Sequence, residues 1–241
     1  MSEHVGDGQE LLGANGSVAT CPQIDRVPPA QKPPLRLYYY PGACSLADHI
    51  VLEWIGASYD LVEMSRTSVK SPEYLALNPA GNVPLLQDGD FLLTENVAIL
   101  VYLAERHPEA RLLGDGSARG RAEVLRWLAF INSDVHGAFK PIFSPHIFLA
   151  DDAFAADLAI AARLHVRGLL ERIDAQLRGR AWLAGGRSIA DPYLFVITRW
   201  AVGQEVDMRG LDRLEAFLER MYGDEDVQVA IGLEEGFLIV S

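Results

Sequence analysis

The chain has very few cysteines. Only Cys21 and Cys44 occur in 241 residues, which is too few for a disulfide framework. A reducing compartment would keep both as thiols. The sequence also lacks a Cys-x-x-Cys pair, because Pro41 occupies the position of a partner for Cys44. Each cysteine is therefore interpreted on its own, and dithiol oxidoreductase chemistry is not expected.

Basic residues and long apolar runs are also scarce. Lysine and arginine together number 21 against 33 acidic residues, and the formal net charge of -12 opposes general binding to nucleic acid or anionic membranes. The longest apolar stretches are interrupted, for example by Glu95 and Asn96, and fall short of the roughly 20 apolar residues that span a bilayer. The first residues lack the basic start and apolar stretch of a signal peptide. We expect a cytoplasmic protein with neither nucleic acid nor membrane as a partner.

The N-terminal segment differs in composition from the rest of the chain. Residues 1–34 are rich in Gly, Ser, Asp and Pro and show no apolar period, which is typical of a disordered arm. We exclude this arm from the predicted fold. A compact domain is expected to begin at Leu35.

Residues 35–114 alternate between strand and helix patterns. The sequence predicts a strand at "LRLYYY", a helix at "SLADHIVLEWIG" that stops at Gly56, and a second strand at "SYDLVEM". These three elements form a βαβ unit with parallel strands. A hairpin with its turn at Asp88-Gly89 is predicted for "NVPLLQDGDFLLTE", followed by the helix "NVAILVYLAERH". The predicted fold class of this part is an α/β domain of order βαβ-ββα with a mixed sheet.

Residues 119–241 show helical periodicity almost throughout. A 3.6-residue apolar face is carried by four segments, "RAEVLRWLAFINSDVHGAF", "AADLAIAARLHVRGLLERIDAQLR", "ADPYLFVITRWAVGQ" and "LDRLEAFLERMYG". The stretch "SIAD" has the form of an N-terminal capping box, with Ser188 as the cap and Asp191 where Glu is more usual. The sequence therefore predicts an all-helical C-terminal domain.

Cys44 lies where the first predicted strand turns into the first predicted helix. Unpaired backbone N–H groups and the positive end of the helix dipole at that point would lower the pKa of its thiol. A thiolate there would be a nucleophile or form a mixed disulfide. The alternative is a small buried side chain with a packing role, which is what most free cysteines are. Position alone leaves both interpretations open.

Five segments, taken in their order and spacing, carry a family resemblance. They are "LYYYPGACSLADHIVLEW", "LNPAGNVPLL", "LLTENVAILVYLAERHPE", "WLAFINSDVHGAFKPIF" and "SIADPYLFVITRWA". With them the chain resembles the bacterial beta-class glutathione transferases, from about Leu35 to the "EEGFL" near the C-terminus. The resemblance implies a thioredoxin-like N-terminal domain, an all-helical C-terminal domain, a homodimer, and glutathione as the thiol cosubstrate.

The resemblance assigns residues to the neighbourhood of the glutathione sulfur. Cys44, within "PGACS", matches the catalytic cysteine that contacts this sulfur, and Tyr39 matches a tyrosine near the site. His136, within "NSDVHGAF", matches a histidine that the helical domain brings towards the sulfur. An imidazole there could exchange a proton near pH 7 or donate a hydrogen bond to the thiolate. Judged without the resemblance, a histidine on a helix is more often structural.

Other matched residues would bind the rest of glutathione. Val83 precedes Pro84, and the resemblance implies a cis bond between them, with the Val83 backbone pairing with the cysteinyl part of the ligand. Glu95 would pair with the γ-glutamyl ammonium, while N–H groups at the helix start take its carboxylate. Asn96, where the family often has Ser or Gly, could donate through its amide. Without the resemblance, Glu95 would simply be a favourable first-turn acid.

The chain departs from the family pattern at several positions. Gly137 stands where members commonly carry a lysine, with Lys140 three residues further on, and Ala129 stands where they often carry an asparagine. Whether Arg66 or Lys70 meets the glycyl carboxylate stays open. Weaker glutathione binding than is typical would be consistent with these departures.

Two functions of different classes follow. The first is an enzyme that conjugates glutathione to small electrophiles, or reduces substrates through a mixed disulfide between Cys44 and glutathione. The second is a non-catalytic binding or regulatory protein with the same architecture, since a fold does not fix a function. Retention of Cys44, Val83-Pro84, Glu95 and His136 together favours the enzyme. No metal site is expected in either case.

Overall fold

The structure is a computed structural model that describes residues 34–149 and 151–235. The predicted N-terminal arm, apart from Pro34, and Cys21 lie outside the described residues. All described residues belong to one compact unit. Within them, no helix has both the length and the apolar character needed to cross a bilayer.

A four-stranded mixed sheet forms the first part of the fold. Its strands are β1 (Leu35–Tyr39), β2 (Tyr59–Glu63), β3 (Leu85–Asp88) and β4 (Phe91–Thr94), in the spatial order β2-β1-β3-β4. β1 pairs in parallel with β2 and antiparallel with β3, and β3 pairs antiparallel with β4. The β3–β4 turn contains Gly89, whose φ of +66° suits glycine. The predicted βαβ-ββα succession, the parallel pairing of the first two strands, the mixed sheet and the hairpin are confirmed.

Helix α1 (Ser45–Trp54) connects β1 to β2 and is buried on nearly all sides. Nine of its ten residues are buried, because it packs against β1, against α3 (Asn96–Arg106) and against two helices of the second part. The chain leaves α1 through Gly56, whose φ of +60° is the left-handed conformation that commonly ends helices. The predicted stop at Gly56 is confirmed.

A short helix between β2 and β3 was not predicted from the sequence. This is α2 (Pro72–Leu77), whose N-cap Ser71 accepts a hydrogen bond from the backbone N–H of Tyr74 at 3.2 Å. Six residues are too few to display a helical period. The capping residue and the following Pro72 are the local signals that mark its start.

The second part of the fold consists of helices. They are α4 (Ala118–Phe130), a π-helical segment (Ile131–His136), α5 (Gly137–Phe143), α6 (Ala155–Gln176), α7 (Ala190–Gly203), α8 (Asp212–Tyr222) and α9 (Glu225–Glu235). The predicted helical character is confirmed. The first of the four predicted segments is nonetheless interrupted by the π-helical segment, and α9 had not been predicted. Such π-turns often occur at functional sites.

The two parts share one hydrophobic core. It includes Leu37 of β1, Ile50 of α1, Leu100 of α3, Leu128 of α4 and Phe195 of α7, all with no exposed surface. Burial of this apolar area at about 25 cal/mol per Å² is the main stabilising contribution to the fold. α1 lies between the sheet and the helices, so the residues at its N-terminus contact both parts.

The predicted capping box at the start of α7 is only half present: Asp191 reaches back to Ser188, but the N-cap is Ile189 rather than Ser188, and it makes no side-chain cap bond. The carboxylate of Asp191 accepts hydrogen bonds from the Ser188 backbone N–H at 2.8 Å, from the Ser188 hydroxyl at 2.9 Å and from the Leu183 N–H at 2.9 Å. Complete burial raises the pKa of Asp191 to about 6, although these three donors act in the opposite direction. The motif fixes the turn that leads into α7.

Candidate active site

A cavity of about 530 Å³ lies where the sheet and the helices meet. Its walls come from the loops before α1 and β3, the start of α3, the π-helical segment, α5 and α7. The lining residues are Cys44, Asn82, Val83, Pro84, Glu95, Asn96, Asn132, Ser133, His136, Gly137, Lys140 and Tyr193. Six of the seven site residues predicted from the sequence are thus brought together. The seventh, Tyr39, is not among the described residues of the wall, and its ring lies 6.4 Å from that of His49.

Cys44 is the N-cap of α1 and is 9% exposed. The expectation of a lowered thiol pKa is wrong. Burial raises the pKa of Cys44 to about 12, and the neighbouring carboxylate of Asp48 acts in the same direction. The backbone N–H groups of Cys44 and Ser45 do favour the thiolate, as the helix position suggests, but burial outweighs them. In the protein without ligand, Cys44 is therefore a thiol at neutral pH.

The Val83-Pro84 peptide bond is cis, as the resemblance implied. The loop before it is held by the Asn82 carbonyl oxygen, which accepts from the Tyr74 hydroxyl at 2.7 Å and from the Asn78 side-chain amide at 2.8 Å. These bonds present the Val83 backbone to the cavity.

Neither of the two cations considered for the glycyl carboxylate is among the described residues that line the cavity. The Lys70 ammonium donates to the Gly81 carbonyl at 2.8 Å, so it supports the loop. Arg66 lies on the exposed segment after β2. Binding of the glycyl carboxylate by Arg66 or Lys70 therefore stays a prediction.

Glu95 and Asn96 form the start of α3. Glu95 has φ +74° and ψ +111°, an unusual backbone conformation for a residue with a side chain. Asn96 satisfies its neighbours in the amide orientation that places its nitrogen 2.8 Å from the buried carboxylate of Asp48 and 3.2 Å from the Cys44 carbonyl, where it donates to both. Asn96 therefore connects α3 to α1, and the expectation that its amide also donates to the ligand stays a prediction. Strained backbone at Glu95 is typical of binding sites.

His136 ends the π-helical segment and contributes one wall of the cavity. Its Nδ1 lies 2.6 Å from the hydroxyl oxygen of Tyr193, and its ring meets the Trp200 ring edge-on at 4.9 Å. Burial, together with the nearby positive charge of Lys140, lowers the pKa of His136 to about 4. The imidazole is therefore neutral at pH 7.

Six wall residues were not among the predicted site residues, namely Asn82, Asn132, Ser133, Gly137, Lys140 and Tyr193. The Tyr193 hydroxyl donates to Asn132 Oδ1 at 3.0 Å, so it lies between Asn132 and His136. Asn132 and His136 are four residues apart, which could have indicated one helix face. Lys140 also lines the cavity, beside Gly137, whose missing side chain leaves open space.

The loop that precedes Cys44 is held by the helical part. The indole N–H of Trp200 donates to the Gly42 carbonyl at 2.8 Å, and the Gly42 N–H donates to the Glu234 carboxylate at 3.4 Å. The carbonyl group of Gly42 is thus bound by α7, and its N–H group is bound by α9. The position of Cys44 consequently depends on helices far away in the sequence.

Similarity to known proteins identifies the family. Residues 33–105 match the family described as "Glutathione S-transferase, N-terminal domain". Over 201 residues the chain is 50% identical to glutathione S-transferase GST-4.5 of Xanthomonas campestris pv. campestris, covering 83% of this chain and 98% of the relative. The chain belongs to the glutathione S-transferase family.

Solved structures agree with this assignment. The transferase matches a glutathione S-transferase from Xylella fastidiosa with a TM-score of 0.81 and 49% identity, covering 83% of this chain and 98% of that one. It matches a bacterial beta-class glutathione S-transferase from Sphingomonas chungbukensis with a TM-score of 0.73 and 35% identity, covering 84% and 100%. These comparisons confirm the thioredoxin-like α/β part followed by helices, and the resemblance to beta-class enzymes. They also confirm the transferase activity and glutathione as the cosubstrate.

Proposed function

We propose that the cavity of about 530 Å³ binds glutathione and that the transferase joins the glutathione sulfur to small electrophiles. One observation carries this proposal. Cys44 belongs to the α/β part, and His136 belongs to the helical part, 92 positions later in the sequence. Both residues nevertheless line the same cavity. Residues from both parts are needed to surround a reacting sulfur and exclude water from it.

The walls of the cavity offer groups for each end of a tripeptide. The Val83 backbone pairs with the cysteinyl part. The Glu95 carboxylate pairs with the γ-glutamyl ammonium, and the N–H groups at the start of α3 bind the neighbouring carboxylate. These contacts leave the ligand sulfur on the side of Cys44 and His136.

Cys44 acts as a hydrogen-bond donor in this scheme. Because its pKa is raised to about 12, its S–H group is intact at neutral pH and donates a hydrogen bond to the glutathione sulfur. The glutathione sulfur then attacks the electrophilic carbon, a new S–C bond forms, and the leaving group departs with the bonding electron pair. Cys44 itself is unchanged by the cycle.

Reduction through a mixed disulfide is the less favoured route. Disulfide exchange requires Cys44 as a thiolate, because the thiolate is the attacking species. The raised pKa of Cys44 makes that species rare near neutral pH. The non-catalytic alternative is not favoured either, because the predicted sulfur-contacting residues share an open cavity and the family relatives are transferases.

We also propose a cytoplasmic homodimer. Strand β4 is at the edge of the sheet, and its Phe91 side chain is 45% exposed while lying 5.4 Å from the ring of Tyr102 in α3. An apolar side chain on an unpaired edge supports contact with a second copy of the chain. Sedimentation analysis of the wild type and of Phe91→Glu tests this: a monomeric wild type would contradict it.

The proposed activity is tested on the full chain. Calorimetry with reduced glutathione measures binding, and a panel of chlorinated nitroaromatics, hydroperoxides and mixed disulfides then measures turnover. We expect binding, conjugation of the chloroaromatics and little disulfide reduction. Absence of binding would overturn the proposal, whereas binding without turnover of any substrate would favour the regulatory alternative. Glu63→Gln, which changes an exposed acid of β2, serves as a control with unchanged binding.

A further inference from the structure

The hydroxyl of Tyr193 occupies a special position beside the cavity. Tyr193 has no exposed surface, yet it is one of the residues that line the cavity. Its hydroxyl oxygen lies 2.6 Å from Nδ1 of His136 and 3.0 Å from Oδ1 of Asn132. A buried hydroxyl with two such close partners has a defined orientation.

Counting protons fixes the direction of both hydrogen bonds. A tyrosine hydroxyl has a single proton to donate, and the amide oxygen of Asn132 can only accept. Since Tyr193 donates to Asn132, its oxygen must accept from His136, and Nδ1 of His136 must carry a hydrogen. Burial also raises the pKa of the Tyr193 hydroxyl, so the proton is not lost.

A neutral imidazole carries one ring proton. With that proton on Nδ1, Nε2 holds a lone pair and is a hydrogen-bond acceptor. No hydrogen bond engages His136 Nε2 within residues 34–149 and 151–235. Nε2 is thus the ring nitrogen that remains for a ligand in the cavity.

We propose that Tyr193 is a positioning residue that holds His136 in the Nδ1–H form, so that Nε2 accepts the thiol proton of glutathione. This inference rests on the proposed function of the cavity. As the sulfur attacks the electrophilic carbon, the S–H bond breaks and its proton moves to Nε2; burial and the nearby charge of Lys140 make the resulting His136 cation short-lived. The leaving group takes the electron pair of the bond that breaks, and His136 afterwards releases the proton to solvent.

The hydroxyl can be removed with little change in shape. Tyr193→Phe retains the buried ring, and Tyr38→Phe is the matched control, because it removes a tyrosine hydroxyl that donates to Gln87 at 3.3 Å outside the cavity wall. We expect Tyr193→Phe to lower kcat roughly tenfold while the glutathione Kd stays the same, since one orienting hydrogen bond is lost. Tyr38→Phe should retain wild-type kcat. Thermal melting checks that both variants fold.

Nitrogen-15 NMR shows directly which ring nitrogen of His136 carries the proton. The ring signals of His136, assigned by their disappearance in His136→Gln, should report Nδ1–H in the free wild type and a mixture of both forms in Tyr193→Phe. Nε2–H in the wild type would overturn the inference. This measurement needs no glutathione, so a failure of glutathione binding would overturn the proposed function and leave the assignment of the ring proton intact.

Double variants test whether Tyr193 acts through His136. If it does, Tyr193→Phe should have no further effect on kcat in the His136→Gln background, because the two changes remove one shared interaction. An undiminished tenfold loss in that background would show that the hydroxyl acts on another group and would overturn the inference.

Discussion

The carboxylate of Glu234 in α9 lies 3.2 Å from Nδ1 of His49 in α1, and neither side chain has more than 1% of its surface exposed. His49 Nε2 in turn lies 2.9 Å from the hydroxyl of Tyr59 in β2, and the second carboxylate oxygen of Glu234 accepts from the Gly42 N–H. One buried side chain of the last helix thus holds the first helix and the loop before Cys44. Burial raises the pKa of Glu234, so its charge is costly where it lies.

Substitutions of Glu234 should therefore separate hydrogen bonding from charge. Glu234→Gln preserves the size of the side chain and provides one hydrogen-bond acceptor and one donor. We expect it to change the free energy of unfolding by less than about 1 kcal/mol. Glu234→Ala leaves the buried His49 without its carboxylate partner and the Gly42 N–H without its acceptor, and should cost about 3 kcal/mol. Urea denaturation measures both values. Equal losses in the two variants would contradict the assignment of hydrogen bonding as the main contribution.

Glu95→Gln should weaken glutathione binding without unfolding the protein. The change removes the charge that faces the ligand ammonium and preserves the size of the side chain. The expected loss is about 1.5–3 kcal/mol for a charge-assisted hydrogen bond. Calorimetry measures the loss, and Glu63→Gln should bind like the wild type. Wild-type affinity in Glu95→Gln would show that this residue has only its helix-start role.

Cys44 should react as a thiol with a raised pKa. In the Cys21→Ser protein, whose remaining cysteine is Cys44, the alkylation rate should keep rising with pH beyond the roughly 8.5 at which a free cysteine titrates. The same protein unfolded in urea provides the matched reference and should show the ordinary inflection. A folded-state inflection below that of the unfolded chain would contradict the raised pKa and restore the thiolate mechanism.

Asp191 should make stability depend on pH in the acid range. Its folded pKa of about 6 lies above the reference value of 3.8, so the folded state holds the proton more tightly than the unfolded state. The corresponding stabilisation is complete below the unfolded pKa and is lost as the pH rises through the folded value, a change of about 3 kcal/mol at most. Unfolding curves at intervals from pH 4 to 7 measure this slope. Asp191→Asn should lack it, and an identical slope in both proteins would contradict the prediction.

The elements set by local chemistry could be predicted from the sequence. Gly56 and Asp88-Gly89 mark a helix end and a hairpin because their backbone conformations suit few other residues, and both appear where expected. The helices with a clear apolar period also appear. Short α2 lacks a period, and the π-helical segment keeps the apolar pattern of an ordinary helix, so neither could be recognised in this way.

The properties of the candidate site depend on distant residues and could be predicted only in part. Tyr193 stands among apolar residues and looks like any core aromatic, and its partners Asn132 and His136 are 61 and 57 residues away. The raised pKa of Cys44 is a further example. The helix start was correctly located, but the burial that outweighs it comes from the packed structure as a whole.

The two hydrogen bonds at Gly42 have a consequence for the order of folding during synthesis. The sheet, α1 and α3 are complete within the first half of the chain and can form early, as N-terminal regions generally do on the ribosome. The Gly42 N–H, however, meets a carboxylate 192 positions later, and such distant contacts form slowly because a long loop must close first. A nascent chain that already has its sheet therefore still lacks a fixed Cys44 loop. That loop is secured only after α9 has been translated and has docked.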